Sequence, residues 1–222
     1  DSEEIEIAVE DFLKRIREHT GVFVERGEKL YGFAHLTFEE YFVARELVRK
    51  REESVKRIYE HRHDHRWEEP ILLAISFMSA DFPEEAERLI QSSILAEGDD
   101  AHRLGLLPSP DENIRHRDLL FSVRALSDCV DMNSKFSQHL IQRFFSTWFS
   151  LNEKDDFGVD EFLNAGNQMM KNRNMAEISV DYLIQSLNDS NENIRKNSVL
   201  VLGRLGVRSK NIVDALNAAM QD

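Results

Sequence analysis

The chain of 222 residues carries 28 Lys and Arg against 41 Asp and Glu, a net charge of −13, with 9 Gly, 4 Pro, 14 Phe and one cysteine. The lone Cys129 excludes an internal disulfide framework and a multi-cysteine zinc site, and no uncharged apolar run approaches the roughly 18 residues of a membrane-spanning helix. The acidic start Asp1-Ser2-Glu3-Glu4 lacks the apolar core of a secretory leader; a cytoplasmic protein is expected, whose acidity disfavours nonspecific binding to nucleic acid.

Scarce Gly and Pro with recurrent i, i+3, i+4 apolar spacing predicts a mainly helical chain. Ile5, Val9, Phe12, Leu13 and Ile16 share one face of a first helix, with Glu6, Glu10, Lys14, Arg17 and Glu18 opposite. Gly21 suits its C-terminal cap. Val22-Phe23-Val24-Glu25 and Leu30-Tyr31-Gly32-Phe33 are β-prone and flank the polar turn Arg26-Gly27-Glu28-Lys29, which predicts one hairpin near 22–34. Thr37-Phe38-Glu39-Glu40 then reads as a capping box. The Thr37 hydroxyl accepts from the Glu40 amide, and the Glu40 carboxylate reaches back, with Leu36 and Tyr41 as the apolar staple. Helix, hairpin and capped helix make a winged-helix-like remnant, in whose core Phe12, Phe38 and Phe42 are expected to meet. Residues 45–66 hold eight Lys and Arg against five acids and no long apolar run, and read as a solvated helix end and loop. They close a first domain, 1–66.

A second domain, 67–222, reads as successive helices at 67–80, 83–97, 111–130, 134–151, 158–172, 176–188, 192–205 and 209–221. Breaks are expected at Asp81-Phe82-Pro83, Gly98-Asp99-Asp100, Leu107-Pro108-Ser109-Pro110, 152–156 and 188–191. Short polar turns predict antiparallel pairs stacked side by side. Glu112-Asn113-Ile114-Arg115 recurs as Glu192-Asn193-Ile194-Arg195, an offset of about two repeats of roughly 40 residues.

The C-terminal run Tyr182-Leu183-Ile184-Gln185-Ser186-Leu187-Asn188-Asp189, then Ile194-Arg195, then Val201-Leu202-Gly203-Arg204-Leu205-Gly206, resembles a HEAT repeat. Asp189 and Arg195 match that family's Asp and Arg, a pair expected to link the turn to the second helix. The resemblance implies an α-solenoid of HEAT-like repeats that binds proteins and does no chemistry. Residues 111–151 match more loosely, with Ser127-Asp128 in place of the Gly-x-Leu-Gly ending.

Phe33-Ala34-His35-Leu36-Thr37-Phe38-Glu39-Glu40-Tyr41-Phe42-Val43-Ala44 resembles the motif that closes the winged-helix region of NACHT-type signal-transduction (STAND) NTPases. Trp67-Glu68-Glu69-Pro70-Ile71-Leu72-Leu73 is similar to the helix that follows it there. The resemblance implies that His35 contacts the β-phosphate of bound ADP in a full-length parent, a bond an imidazole N–H can donate. Neither a Gly-x4-Gly-Lys-[Ser/Thr] loop nor an acidic magnesium motif is present. The chain therefore reads as a non-enzymatic segment with no cofactor of its own, ADP or ATP and magnesium belonging to the parent. The bland alternative for His35 is a structural histidine tying hairpin to helix.

Other candidates weigh less. His61, His63 and His65 alternate and cannot share one helix face, so a charged loop is favoured over a metal site. The basic run 45–66 invites a nucleic-acid reading, but the helix behind the hairpin opens on Glu39 and Glu40, where phosphates would lie. Phe144, Phe145, Trp148 and Phe149 read as buried between helices rather than as a partner patch. Glu39/Glu40 and Asp155/Asp156 read as caps or solvated turns, and Cys129 as a small core residue. The leading expectation is a regulatory and sensor scaffold of a NACHT-type NTPase, with protein partners or the parent's own NTPase domain. The alternatives are a free-standing HEAT-type adaptor and a small DNA-binding regulator.

Overall fold

The computed structural model describes residues 2–28, 30–130, 134–151 and 156–206, with 213, 214 and 217. The fold is mainly α with one two-stranded hairpin. Helix α1 (Ser2–Thr20) ends where Gly21 takes φ +63°, the left-handed turn that favours glycine. β1 (Phe23–Gly27) and β2 (Leu30–Phe33) pair antiparallel, Phe23 opposite Phe33 and Val24 opposite Gly32. The register shifts between Glu25 and Gly27, leaving Arg26 as an extra residue on β1. Its guanidinium crosses Gly32 to donate to the Phe33 carbonyl (3.2 Å). A Cβ on Gly32 would lie 2.9 Å from Arg26 Nε, so the crossing requires glycine.

The ladder runs on to Ala34, whose N–H donates to Val22 O (2.8 Å), and α2 (Leu36–Arg49) begins almost at once. The expected meeting of Phe12, Phe38 and Phe42 does not occur: Phe12 is 60% and Phe42 49% exposed. Ring contacts run instead from Phe23 to Phe33 (4.7 Å) and from Phe33 to Phe42 (5.5 Å). The reason is that α1 leans on β1 and leaves Ile5, Val9 and Phe12 uncovered.

Residues 45–66 are not a solvated loop. α2 continues through them, and α3 (Arg51–His61) follows after the single residue Lys50. Few apolar residues are needed because each is placed well: Leu47, Val55 and Ile58 are all buried. Ser54, also buried, donates to the carbonyls of Leu47 and Lys50 and so stitches the corner. α4 (His65–Asp81) packs along α2, with Tyr41 edge-on to Phe77 at 5.8 Å. Ala44 and Leu47 of α2 belong to the same buried cluster that runs on through Leu202.

Beyond α4 come α5 (Pro83–Leu89), a π-helical turn at Ile90–Ile94, and α6 (Gly98–Leu104). Gly98 therefore opens a short helix where a break was expected, and Ala96 at φ 55° makes the turn before it. The helix expected at 111–130 is two: α7 (Glu112–Arg115) and α8 (Arg117–Ser127), parted by His116 at φ 51°. α9 (Lys135–Ser150), α10 (Asp156–Met169), α11 (Arg173–Ser186) and α12 (Glu192–Arg204) follow close to expectation. The helix expected at 209–221 lies outside the described residues, apart from 213, 214 and 217.

Cross-links fix the directions of these helices. Arg62 bonds Asp118, Glu68 pairs with Arg124, and Ser76 donates to Asp128 O, so α4 and α8 run parallel. His116 meets Phe162 (5.8 Å), and Asn172 donates to the Ser127 and Cys129 carbonyls, so α8 and α10 run parallel too. α9 packs beside α8 and carries the aromatic stripe inward. Phe144, Phe145 and Trp148 are buried, Phe144 stacking on Phe162 (5.0 Å) and Phe145 on Tyr182 (5.8 Å). Burial of these three is as expected, while the fourth member of the stripe, Phe149, is half-buried against the core.

Candidate functional site

His35 takes the N-cap position of α2 with extended backbone (φ −130°, ψ 144°), its side chain exposed and making no capping bond. The capping box expected of Thr37 and Glu40 does not form. The ladder through Ala34 sets the helix start at Leu36, so Thr37 sits inside the first turn, beyond the extended position from which a cap accepts. The first inward bond is backbone only, Phe38 N–H to His35 O (3.1 Å). His35 is thereby left on the hairpin's exit, facing solvent.

Asp189 and Arg195 do come together, though not as a carboxylate–guanidinium pair. Arg195 donates to the backbone carbonyls of Asp189 (2.8 Å) and Ser190 (3.2 Å), while the Asp189 carboxylate accepts from the Asn191 N–H (2.8 Å). The arginine still links turn to helix, through main chain. The two Glu-Asn-Ile-Arg copies also part ways. Glu192 begins α12 exposed, whereas Glu112 is buried and accepts from Asp118 N–H (2.8 Å) and Leu119 N–H (2.9 Å), capping the next helix, α8. Burial pushes the Glu112 carboxyl up, against the pull of those two N–H groups.

The most closely built polar centre was not singled out from sequence. Asp118 accepts from Arg62 Nε (3.2 Å), Ser109 N–H (2.8 Å) and Ser109 Oγ (2.9 Å), and His63 Nε2 lies 2.9 Å away. Burial opposes ionisation of this carboxyl, but His63, the Ser109 N–H and the Arg62 guanidinium outweigh it and hold it down at about 2. Ser, His and Asp together invite a nucleophilic reading, which the geometry refuses. A relay needs hydroxyl and carboxylate on opposite ring nitrogens, whereas His63 Nε2 faces both Ser109 Oγ (2.7 Å) and Asp118. The cluster is a knot that ties the α3–α4 turn to α8. Of its neighbours, His61 stacks on Trp67 (4.0 Å) and His65 points to solvent, so the three alternating histidines diverge. Among the described residues no group of three or more His, Cys, Asp or Glu is placed to hold a metal. Burial pushes the Cys129 thiol up to about 12, which removes it as a nucleophile at neutral pH.

Beside the knot, a groove of about 420 Å³ crosses α4, α8 and α10. Leu120, Phe121 and Ala165 floor it. Arg117 and Arg124 rise on the α8 side, Glu161, Asn164 and Gln168 on the α10 side, with Asp64, His65 and Glu68 at the α4 end. Arg124 is paired with Glu68, and Asp64 caps α4 through the Arg66 N–H (3.0 Å). The sequence carried a signal for this surface, since 117, 120, 121, 124 and 161, 164, 165, 168 both follow i, i+3, i+4, i+7.

Residues 1–47 match the family described as winged helix-turn-helix domain C-terminal to NACHT. No curated protein and no solved structure matches the chain. The matched segment spans α1, the hairpin and α2 up to Leu47, and supports the chain as a C-terminal segment of a NACHT-type protein, the winged-helix domain itself being non-catalytic. No helix among the described residues is long and apolar enough to cross a membrane.

Proposed function

We propose that this chain is the regulatory and sensor segment of a NACHT-type signal-transduction NTPase. The winged-helix segment seats against the parent's own nucleotide domain, with His35 turned to the phosphate of ADP. The helices from α4 onward recognise a protein partner as HEAT-like repeats. ADP or ATP and magnesium belong to the parent's nucleotide domain, in the cytoplasm. One observation carries the reading: α2, which ends the matched family segment, is packed into α4 through Ala44, Leu47 and the Tyr41–Phe77 contact. A displacement of the partner-binding helices is therefore passed to the hairpin exit by a buried joint rather than a loose linker.

The test is His35→Ala in the full-length parent, with release of prebound ADP as readout. A faster release and a shift towards the active state are expected; an unchanged release rate reduces His35 to a structural residue. Residues 1–222 alone should neither hydrolyse ATP nor bind ADP by calorimetry. One hydrogen bond nets about 1–3 kcal/mol even when charge-assisted, against about 4 for millimolar affinity. The parallel packing of α4, α8 and α10 suits a free-standing helical-repeat adaptor equally well. A phosphate-binding loop in the parent's preceding residues separates the two readings.

A further inference from the structure

We propose that the groove over α4, α8 and α10 holds a short extended peptide segment of a partner protein, its backbone read by Asn164 and Gln168; this rests on the reading of these helices as the recognition part. The α10 wall of the groove carries side-chain amides whose hydrogen-bonding capacity is unspent among the described residues. Asn164 and Gln168 are exposed on the wall of the groove, and neither side chain makes a hydrogen bond to another described residue. A side-chain amide offers a donor and an acceptor together, as a peptide group does.

The two amides are spaced as a strand requires. Four residues of α-helix rise about 6 Å, and two residues of an extended strand rise about 6.7 Å. Asn164 and Gln168 therefore stand nearly in step with successive same-edge peptide groups of a strand lying along α10. A strand so placed drops alternate side chains onto Leu120, Phe121 and Ala165. A helix in the same groove would have no free backbone groups to offer the amides.

Charge narrows the occupant further. Arg62, Asp64, Glu68 and Arg124 are engaged within the protein, which leaves Arg117 and Glu161 as the groove's two charges without an ion pair among the described residues. They stand on facing walls at one end, because Phe162 lies beside His116. The complementary segment carries apolar residues alternating with charged ones of both signs.

The probe is an acetylated, amidated octapeptide in which leucine alternates with glutamate and lysine, titrated into residues 1–222 by fluorescence anisotropy. Saturable binding is expected. Asn164→Ala and Gln168→Ala should each weaken it about 2- to 10-fold, the worth of one net hydrogen bond. Both side chains are exposed, so neither variant should alter the thermal melt. The same peptide N-methylated at alternate residues, with the sequence kept and the backbone donors removed, should not bind. The proposal is overturned by no saturable binding, by equal affinity for the N-methylated peptide, or by unchanged affinity in both variants. Octapeptide binding in a parent whose preceding residues hold no phosphate-binding loop would remove the NTPase reading and leave the groove standing; a phosphate-binding loop without octapeptide binding would remove the groove alone.

Discussion

Arg62 and Asp118, 56 residues apart in sequence, form an ion pair whose side chains are 7% and 1% exposed. A pair so enclosed is costly to break from one side, because the remaining charge cannot reach water. Asp118→Ala leaves Arg62 with the Tyr59 and Leu107 carbonyls, the Ser109 hydroxyl and the Tyr59 ring, none of them anionic. The expected loss is about 3–5 kcal/mol in urea denaturation. Asp111→Ala, which breaks the exposed Arg115–Asp111 pair, should cost under about 1 kcal/mol.

Two neighbouring carboxyls pull the pH dependence in opposite senses. Asp118, held at about 2 against an ordinary 3.8, stabilises the fold above pH 3.8, and that stability is lost as pH falls towards 2. Glu112 is raised above 4.5, so its ionised form costs stability at neutral pH, and acidification through its folded value towards 4.5 restores it. Relative to Glu112→Gln, the unaltered protein should gain melting temperature as pH falls from neutral towards 4.5. Relative to Asp118→Asn, it should lose melting temperature as pH falls below 3.8; calorimetry across pH 7 to 2 would check both differences.

Capping roles separate Thr37 from Asn172. Thr37→Ala removes no cap bond and should change stability by less than about 0.5 kcal/mol. Asn172 accepts from Met175 N–H (3.3 Å) and donates to two carbonyls at the end of α8, those of Ser127 and Cys129. Asn172→Ala should therefore cost more than the roughly 1 kcal/mol of a simple cap. Thermal melts of the two variants side by side decide the point.

The aromatic centre supplies the fourth expectation. Phe144 is fully buried against Phe145, Trp148 and Phe162. Phe144→Ala should cost about 3–5 kcal/mol and leave a cavity, with a shift in Trp148 fluorescence as a second readout.

Periodicity made α9 to α12 legible, because each buries a stripe, whereas the hairpin was legible from β-prone runs around a polar turn although its strands bury no stripe. It failed at α3, where charged neighbours hide Val55 and Ile58, and only the tertiary partner shows that two residues suffice. It failed again at His116, since a left-handed histidine leaves no compositional mark as glycine would. Thr37 misled because a cap depends on where the preceding ladder stops, and that is set by Ala34 and Val22 pairing across the hairpin. The Asp118 knot was invisible for a different reason. Its members lie on three segments, and Arg62, His63, Ser109 and Asp118 acquire meaning only when the turn after α3 meets α8.

The shared direction of α4, α8 and α10 has an electrical consequence. Peptide dipoles that would cancel in an up–down bundle here add, so the edge bearing Arg62 and Arg117 is biased positive and the far edge, near Asp128 and Asn172, negative. A chain lying along these helices meets a gradient rather than a uniform surface. A strand and its reverse are then unequal ligands: the one that carries its carboxylates towards the Arg117 edge is preferred, and the surface has a polarity before any side chain is read.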